Sequence, residues 1–565
     1  MHLSNLDIGI VIGYLAVSLV VGMIFSKRAT RSIDDYFVGG RSMPWWLAGT
    51  SMIATALSID TPLGITGLVA KHGVQGVWFA WSYIIGGAGA FGAFLFASLL
   101  RRSRIITSAE LMELRYSGKE AAFLRAFKGI YFGILTTCIS MAWGIKSVLV
   151  VSQEALGWNA LPALAVIIAI TLVYTAASGI WGVATTDFFQ FIIATIGALV
   201  LAYYAVDSVG GLSAIPTGLA ARYGGEAAER LHFLPRPGTE FFQTFLVFMT
   251  LKWWGNPSGV ETQRIAACKD EKHATFATML FTVVHFAMNY WPMILAALVS
   301  LIAFPTLPAD KAEQGYAMLM VKLLPKGMLG VMIASQAAAF MSTIESQMNM
   351  GASYMVNDLY RRFIRPEASK RHFVLAGQAC TVLMLGLAVL VAFFMKSVQS
   401  AWYYLAMLTA GYGFVVVARW FWWRVNAWAE IAGLVGSGVG TFLASHVLPF
   451  QSYGTKYLFA AGLSIASWVT VALLTPPTTL ERLGEFCRVV RPYPTFWGPV
   501  RKAFPEIVWS TSLGRNVGLW IVGSACAFCV CFGLGHLLLG SVGTAWTLLG
   551  AAGIGLLVVL RYWRP

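Results

Sequence analysis

The stretch Leu57-Ser58-Ile59-Asp60-Thr61-Pro62-Leu63-Gly64 lies in the middle of an otherwise apolar run over residues 45–70. A bilayer-spanning helix needs about 20 such residues at 1.5 Å rise each. Two members of the stretch do not belong in a plain spanning helix. Pro62 removes a backbone donor, and its ring clashes with the preceding turn. Asp60 puts a carboxylate at mid-depth, where an ionisable group is costly and functional by default. Backbone groups freed by a break find no water in lipid, so a broken helix is tolerated only where it is buried in protein or lines a wet cavity. The stretch therefore predicts a discontinuous span beside a polar site.

A second run carries the same signature. Lys252-Trp253-Trp254-Gly255-Asn256-Pro257-Ser258-Gly259 interrupts the apolar segment 240–263. Apolar runs along the chain give about fifteen candidate spans, near 6–26, 45–70, 76–100, 124–152, 160–179, 183–206, 240–263, 274–304, 327–358, 373–395, 401–418, 426–448, 457–475, 516–538 and 543–560. The two interrupted runs are the second and the seventh. Paired interruptions in corresponding halves point to an inverted-repeat secondary transporter. Ordinary proline kinks are the competing explanation, and the ionisable and amide groups at both breaks weigh against it. A spacing of five spans fits two five-helix repeats after one extra helix. The expected fold class is all-α and polytopic. Residues 1–44 form the extra N-terminal helix and a cytoplasmic loop, 45–207 the first repeat, 208–239 an extracellular loop and 240–424 the second repeat. Residues 425–565 form additional C-terminal helices, with a cytoplasmic linker near 476–514.

Composition agrees. Hydrophobic residues make up 58% and charged residues 12%, with a mean hydropathy of +0.70. Soluble chains carry about 25% charged residues, so a soluble enzyme, a disordered chain and a nucleic-acid-binding module are all excluded. The net charge of +15 has another origin. With the N-terminus outside and the spans alternating, most of the 40 Lys and Arg fall on one side, among them Arg101, Arg102, Arg104, Arg361, Arg362 and Arg365. Cytoplasmic loops are enriched in Lys and Arg, which predicts a multi-pass protein of the cell membrane, a bacterial inner membrane, with N-terminus out and C-terminus in. The first run is not a cleaved signal peptide, because Lys27, Arg28 and Arg31 follow it instead of preceding it. Neither 208–239 nor 476–514 holds a catalytic domain, and the chain has no GxxxxGK[ST] pattern. An enzyme or ATP-driven pump is not expected; the energy source would be an ion gradient. Cys526, Cys529 and Cys531 read as small packing residues on a membrane helix.

The ninth run contains Ala339-Phe340-Met341-Ser342-Thr343-Ile344-Glu345-Ser346. Residues three and four apart share a helix face, so Ala339, Ser342, Thr343 and Ser346 form one stripe. It reads equally as oxygen ligands for a hard monovalent cation and as a small-residue packing stripe. Glu345 is an acid inside a span and functional by default. Asp187, at the start of the sixth run, is either functional or a first-turn carboxylate favoured by the helix dipole. His273 and His285 read as interface and packing residues. Trp45, Trp46, Trp420, Trp422, Trp423 and Trp563 read as belt residues at the membrane interface.

Together with Asp35-Tyr36-Phe37-Val38-Gly39-Gly40-Arg41, Gln263-Arg264-Ile265-Ala266-Ala267-Cys268-Lys269-Asp270 and Asn357-Asp358-Leu359-Tyr360, the Ala339–Thr343 motif makes the chain resemble the solute:sodium symporter family over roughly 5–475. Members share the LeuT-type inverted-repeat fold. The resemblance implies a sodium ion held by the backbone carbonyls of Ala54, Leu57 and Ala339 and the side chains of Ser342 and Thr343. It implies a second sodium site, present in some members, at Asp187, Ser342 and Ser346. Glu345 stands where those members have a hydroxyl, which leaves it to ligate sodium, carry a proton or make a structural hydrogen bond. It implies a solute site at Asp60, Thr61, Trp78, Lys252, Trp253, Trp254 and Asn256.

Solute chemistry has two branches at this point. Asp60 pairs with a cationic amine or accepts hydrogen bonds from sugar hydroxyls. Lys252, if it faces the same cavity, neutralises Asp60 and favours a neutral or zwitterionic solute. Tryptophan faces suit a sugar ring or a quaternary ammonium. The expectation is a sodium-coupled symporter importing a small polar solute across a lipid bilayer by alternating access, a sugar or related polyhydroxy compound first. An amino acid, amine or nucleoside is the alternative, as are proton coupling through Glu345 or Asp187 and a transporter-like sensor. No nucleic-acid partner is expected.

Overall fold

The computed structural model describes residues 3–24, 32–150, 152, 157, 161–254, 259–394, 398–510 and 512–563. In chain order its principal helices are α1 (Asn5–Ile24), α2 (Trp45–Ala56), α3 (Asp60–His72), α4 (Gly118–Leu149), α5 (Leu164–Ala177), α6 (Gly179–Ser208), α7 (Phe241–Thr250), α8 (Gly259–Ala267), α9 (Glu271–Ala303), α10 (Met328–Ile364), α11 (Lys370–Phe394), α12 (Trp402–Leu408), α13 (Tyr412–Phe421), α14 (Ala427–Val447), α15 (Tyr453–Leu474), α16 (Leu513–Leu539) and α17 (Val542–Tyr562). One isolated bridge, Met43 to Cys268, ties the chain entering α2 to the chain leaving α8.

The first break falls before the proline, not at it. The α2 helix stops at Leu57 (φ −84, ψ 63), and α3 restarts at Asp60 with its axis turned by 59°. Pro62 then occupies the first turn of α3, where a helix has no use for the missing N–H. Residues 255–258 of the second break, including Asn256 and Pro257, lie outside the described residues. On either side of them α7 ends in a tight turn over Lys252–Trp254, and α8 resumes at Gly259. A third discontinuity was not expected from the sequence: α12 and α13 meet at 44° around Gly411, whose φ of +75 is a glycine conformation.

Packing separates a scaffold from the broken helices. The segment Leu161–Ser208, which contains α5 and α6, packs most extensively against α10, and α1 contacts both. Tyr14, Met141, Tyr174, Phe340, Met341 and Met384 form a continuous core among α1, α4, α5, α10 and α11. Helix approach there depends on small residues, as membrane interfaces do: a Cβ on Gly133 would lie 2.3 Å from Tyr354 of α10. The broken pair α2–α3 packs on α9 and α6, and α16 pairs with α17 at the C-terminal end.

Among the described residues ten helices are long and apolar enough to span a membrane, or twelve with the bent pairs α2–α3 and α12–α13. Twelve of the about fifteen expected runs pass that test. The runs 76–100, 160–179 and 240–263 are helical but short or broken. Residues 74–103 are a succession of 3₁₀, α- and π-turns interrupted around Gly86 and Gly89, where Gly89 has no room for a side chain against the Tyr83 carbonyl.

Candidate functional site

A cavity of about 460 Å³ lies at the first break. Asp60 and Thr61, the first residues of α3, line it with Ser58 from the break itself. Polar groups from the scaffold, Ser140 of α4 and Gln347 of α10, face them. Aromatic rings make much of the remaining wall: Phe79, Tyr83, Trp143, Phe286, Tyr290 and Trp402. His285 also faces the cavity, within 3.0 Å of the Tyr290 hydroxyl through Nε2 and stacked on Phe281. Phe79 stacks on Trp402 and meets Tyr403 at one end. At the other end a second cavity of about 320 Å³ shares Tyr83, Ser140, Trp143 and Gln347 and continues to Ser108, Lys128 and Tyr354.

Next to the 460 Å³ cavity is a buried polar cluster built by four helices. Thr343 of α10 donates to the carbonyl of Thr55, in the last turn of α2, at 3.0 Å and to that of Ala339 at 3.1 Å. Ser342 donates to one oxygen of Asp187 on α6, and Ser51 of α2 donates to the other. Thr55 donates to Ser346 at 2.8 Å. Arg264 of α8 closes the cluster: Nη2 donates to Ser346 at 2.6 Å, Nε to Ser51 at 2.9 Å, and Nη2 lies 3.5 Å from Asp187. Glu345 accepts from Thr186 at 3.1 Å on both oxygens. Asp187, Glu345 and Arg264 are fully buried. Asp187 lies beside the Arg264 guanidinium, and breaking such a buried pair is strongly unfavourable.

The sequence-derived sodium ligands are thus brought together. Ala54 and Leu57 are buried in the end of α2, whose exposed carbonyls the helix break creates, and Ala339, Ser342 and Thr343 face them across α10. Asp187, Ser346 and Glu345 join the same cluster. The solute residues divide. Asp60 and Thr61 line the cavity, whereas Trp78 and Trp254 stand away from it. Trp78 donates to the Phe233 carbonyl at 2.7 Å inside an aromatic cluster with Trp81 and Phe532, and Trp254 packs on Phe91 and Phe414. Lys252 turns its ammonium to the Phe79 carbonyl at 2.5 Å, over the rings of Phe79 and Tyr83, and is not part of the lining. Asn256 and the side chain of Trp253 lie outside the described residues. Sequence reasoning missed Ser51, Thr55, Thr186 and Glu261. Ser51 and Thr55 carried a signal, since they sit three and one residues before Ala54 and Ala56 on a helix already assigned to the site; Glu261 carried one in the acid it adds directly after the second break.

Comparison with known proteins agrees with this geometry. The family model described as sodium:solute symporter family matches residues 36–436. A sodium/mannose cotransporter of Bos taurus is 26% identical over 538 residues, covering 84% of this chain and 87% of its own. A sodium/glucose cotransporter of Vibrio parahaemolyticus is 25% identical over 468 residues, covering 77% and 84%. The solved structure of a Na+-coupled sialic acid symporter, substrate-bound and outward-open, superposes with a TM-score of 0.68 at 21% identity, over 84% of this chain and 99% of that one. The fold is therefore of the LeuT type, sodium is the coupling ion, and the chain belongs to the sodium:solute symporter family.

Proposed function

We propose that the chain imports a small polyhydroxy solute, a sugar or close relative, in step with sodium, and that the solute binds in the 460 Å³ cavity at the first break. One observation carries the reading: Thr55 and Thr343 line that cavity, and their oxygens belong to the adjoining sodium cluster. Ion and solute then stabilise the same arrangement of α2 against α10, which is what coupling requires. Ala54, Leu57, Ala339, Ser342 and Thr343 hold the sodium; Asp60 and Thr61 meet the solute. The names of the relatives, sodium/mannose and sodium/glucose cotransporters, favour a sugar.

Asp187, Ser346 and Glu345 form a second cation site in this reading, supported by the two buried carboxyl groups, Asp187 at 3.5 Å from Arg264 and Glu345 accepting from the neighbouring Thr186. The basic face, which holds Arg361, Arg362 and Arg365, is cytoplasmic, the N-terminus lies outside, and the membrane is a bacterial inner membrane. The bundle of broken helices rocks against the scaffold around the fixed site.

Uptake by the purified protein in proteoliposomes tests the function. An inward sodium gradient should drive accumulation of a sugar, and a proton gradient alone should not. Uptake driven by protons without sodium would overturn the reading.

A further inference from the structure

Two further cavities meet at the ring of Phe94, apart from the solute and sodium sites. The first, of about 340 Å³, lies on the basic face where α16 begins and α17 ends. Arg102, Arg491 and Arg515 line it with Ser98, Ser510 and Asn516, and among its described lining residues there is no Asp or Glu. Glu271 holds Arg102 at 2.6 and 2.7 Å, whereas Arg491 makes no ion pair among the described residues. On the far side of Arg102 and Arg491 the surface continues as a second basic recess. There Arg101, Arg102, Arg104, Lys269 and Arg491, five cations, stand against two carboxylates, Asp270 and Glu271. Arginine suits a phosphate group because its planar fork donates to two oxygens at once.

The other cavity, of about 270 Å³, is an apolar groove among three helices. Phe276 and Met279 of α9, Gly523 and Val530 of α16, and Gly553 and Leu556 of α17 line it. It starts at the same end of the helices, since Phe276 packs on Trp563 of the basic cavity with ring centroids 5.0 Å apart. The lining runs about 10 Å along α16, from Gly523 to Val530, and about 16 Å along α17, from Leu549 to Leu560, at 1.5 Å per residue. Those lengths are about a third to a half of the hydrocarbon core, the depth of one leaflet. Leu556 and Leu560 are exposed, so the groove is open on its outer side. Membrane helices usually close on one another through small residues. Gly523 does so, with a Cβ position 2.6 Å from the Phe94 ring, but nothing lies within 4 Å of a Cβ on Gly553. An apolar slot of this length among close-packed helices calls for an apolar chain to fill it.

We propose that the two cavities together bind one anionic glycerophospholipid from the leaflet on the basic face. Its phosphate sits among Arg102, Arg491 and Arg515, and one acyl chain lies in the groove between α9, α16 and α17. A free phosphate would use the basic cavity alone and leave the groove empty. A zwitterionic lipid would bring a quaternary ammonium toward the arginines. The lipid joins the C-terminal pair α16–α17 to the transport core, because Phe94 and Arg102 belong to the segment that follows α3, and α9 follows the second break.

Native mass spectrometry of the full chain in detergent tests the site. Dioleoyl phosphatidylglycerol is titrated against dioleoyl phosphatidylcholine, with sn-glycerol 3-phosphate as the headgroup without chains. One phosphatidylglycerol per chain should be retained, at a half-saturating concentration about fivefold or more below that of phosphatidylcholine, the scale of one arginine at an anionic lipid surface. Glycerol 3-phosphate should not displace it. Arg491→Gln should weaken retention of phosphatidylglycerol about fivefold and leave phosphatidylcholine unchanged. Gly553→Leu puts a side chain into the groove and should also weaken retention. It replaces a helix glycine by a better helix former, so the melting temperature without lipid should be no lower than that of the wild type. Equal retention of the two lipids, displacement by glycerol 3-phosphate, or unchanged retention in both variants would each overturn the proposal. So would a dimer of the chain that Gly553→Leu dissociates, because a second copy would then occupy the groove.

Discussion

Thr343 lines the 460 Å³ cavity and bonds into the adjoining polar cluster, so under the proposed function its chemistry couples solute to sodium. Its hydroxyl reaches the Thr55 carbonyl at 3.0 Å from a wall of the solute cavity. Thr343→Ala removes one oxygen from the sodium cluster, a loss of about 1 kcal/mol. The half-saturating sodium concentration for uptake should rise about fivefold; an unchanged sodium dependence would remove Thr343 from the ligands. Glu345→Gln tests the second cation site. It leaves Asp187 alone with Arg264, a neutral pair. With two cation sites the sodium dependence of uptake should be sigmoidal in the wild type and a simple hyperbola in this variant, and a Hill coefficient that is the same in both would count against the site. Asp60 was legible from residue type and position alone, whereas the Ser342 and Thr343 stripe read equally as ligands or packing until the family resemblance favoured ligands. The place of Glu261 in the cavity wall was not legible, because it depends on where α8 resumes after the second break. Lys252 shows the reverse: its charge is plain in the sequence, but the bend of the turn over Lys252–Trp254 takes it behind Phe79.

Among the elements, the broken spans announce themselves when they contain proline and hide when they do not. The α2–α3 break was expected from Asp60 and Pro62. The α12–α13 bend has only Gly411 to mark it, one of 56 glycines. Gly411 combines φ +75 with a Cβ position 2.5 Å from the Ala461 carbonyl. Gly411→Ala should therefore destabilise the protein by about 1–3 kcal/mol, seen as a lower melting temperature of the detergent-solubilised protein. On the basic face, Glu113 joins two helices through Arg125 at 2.7 Å and Arg362 at 2.9 Å. Burial pushes its carboxyl up, but the two guanidinium groups outweigh that and hold it below the ordinary carboxylate value. A lowered folded-state pKa stabilises above the unfolded value of about 4.3 and ceases to do so as pH falls through the folded value. Glu113→Gln should lower the melting temperature at neutral pH, and the gap from the wild type should close on acidification below about pH 4.

For the whole molecule, charge placement, span alternation and energy supply form one argument. Each unit charge crossing 100 mV is worth about 2.3 kcal/mol, roughly a fifty-fold accumulation per coupled charge before any sodium concentration gradient. A second coupled cation would square that factor. The orientation has a direct check: with membrane-impermeant maleimide on intact cells, a cysteine at exposed Gln451 should label and one at exposed Arg365 should not. The opposite pattern would invert the topology.

The sequence by itself determined the membrane class, the basic face, the second and seventh spans as broken helices, and the hydroxyl stripe on the ninth. Hydropathy, charge and helical periodicity are local properties, and the bilayer makes them decisive because it forbids unsatisfied backbone and unpaired charge. The tertiary structure alone decided which polar groups share a cavity. Arg264 reaches Asp187 and Ser346 across three helices, Asp60 and Glu261 come together from residues 201 apart in the chain, and Trp78 and Lys252 turn away. Those outcomes depend on helix rotation and on where a broken helix resumes, and both are set by packing against neighbours that no local pattern encodes.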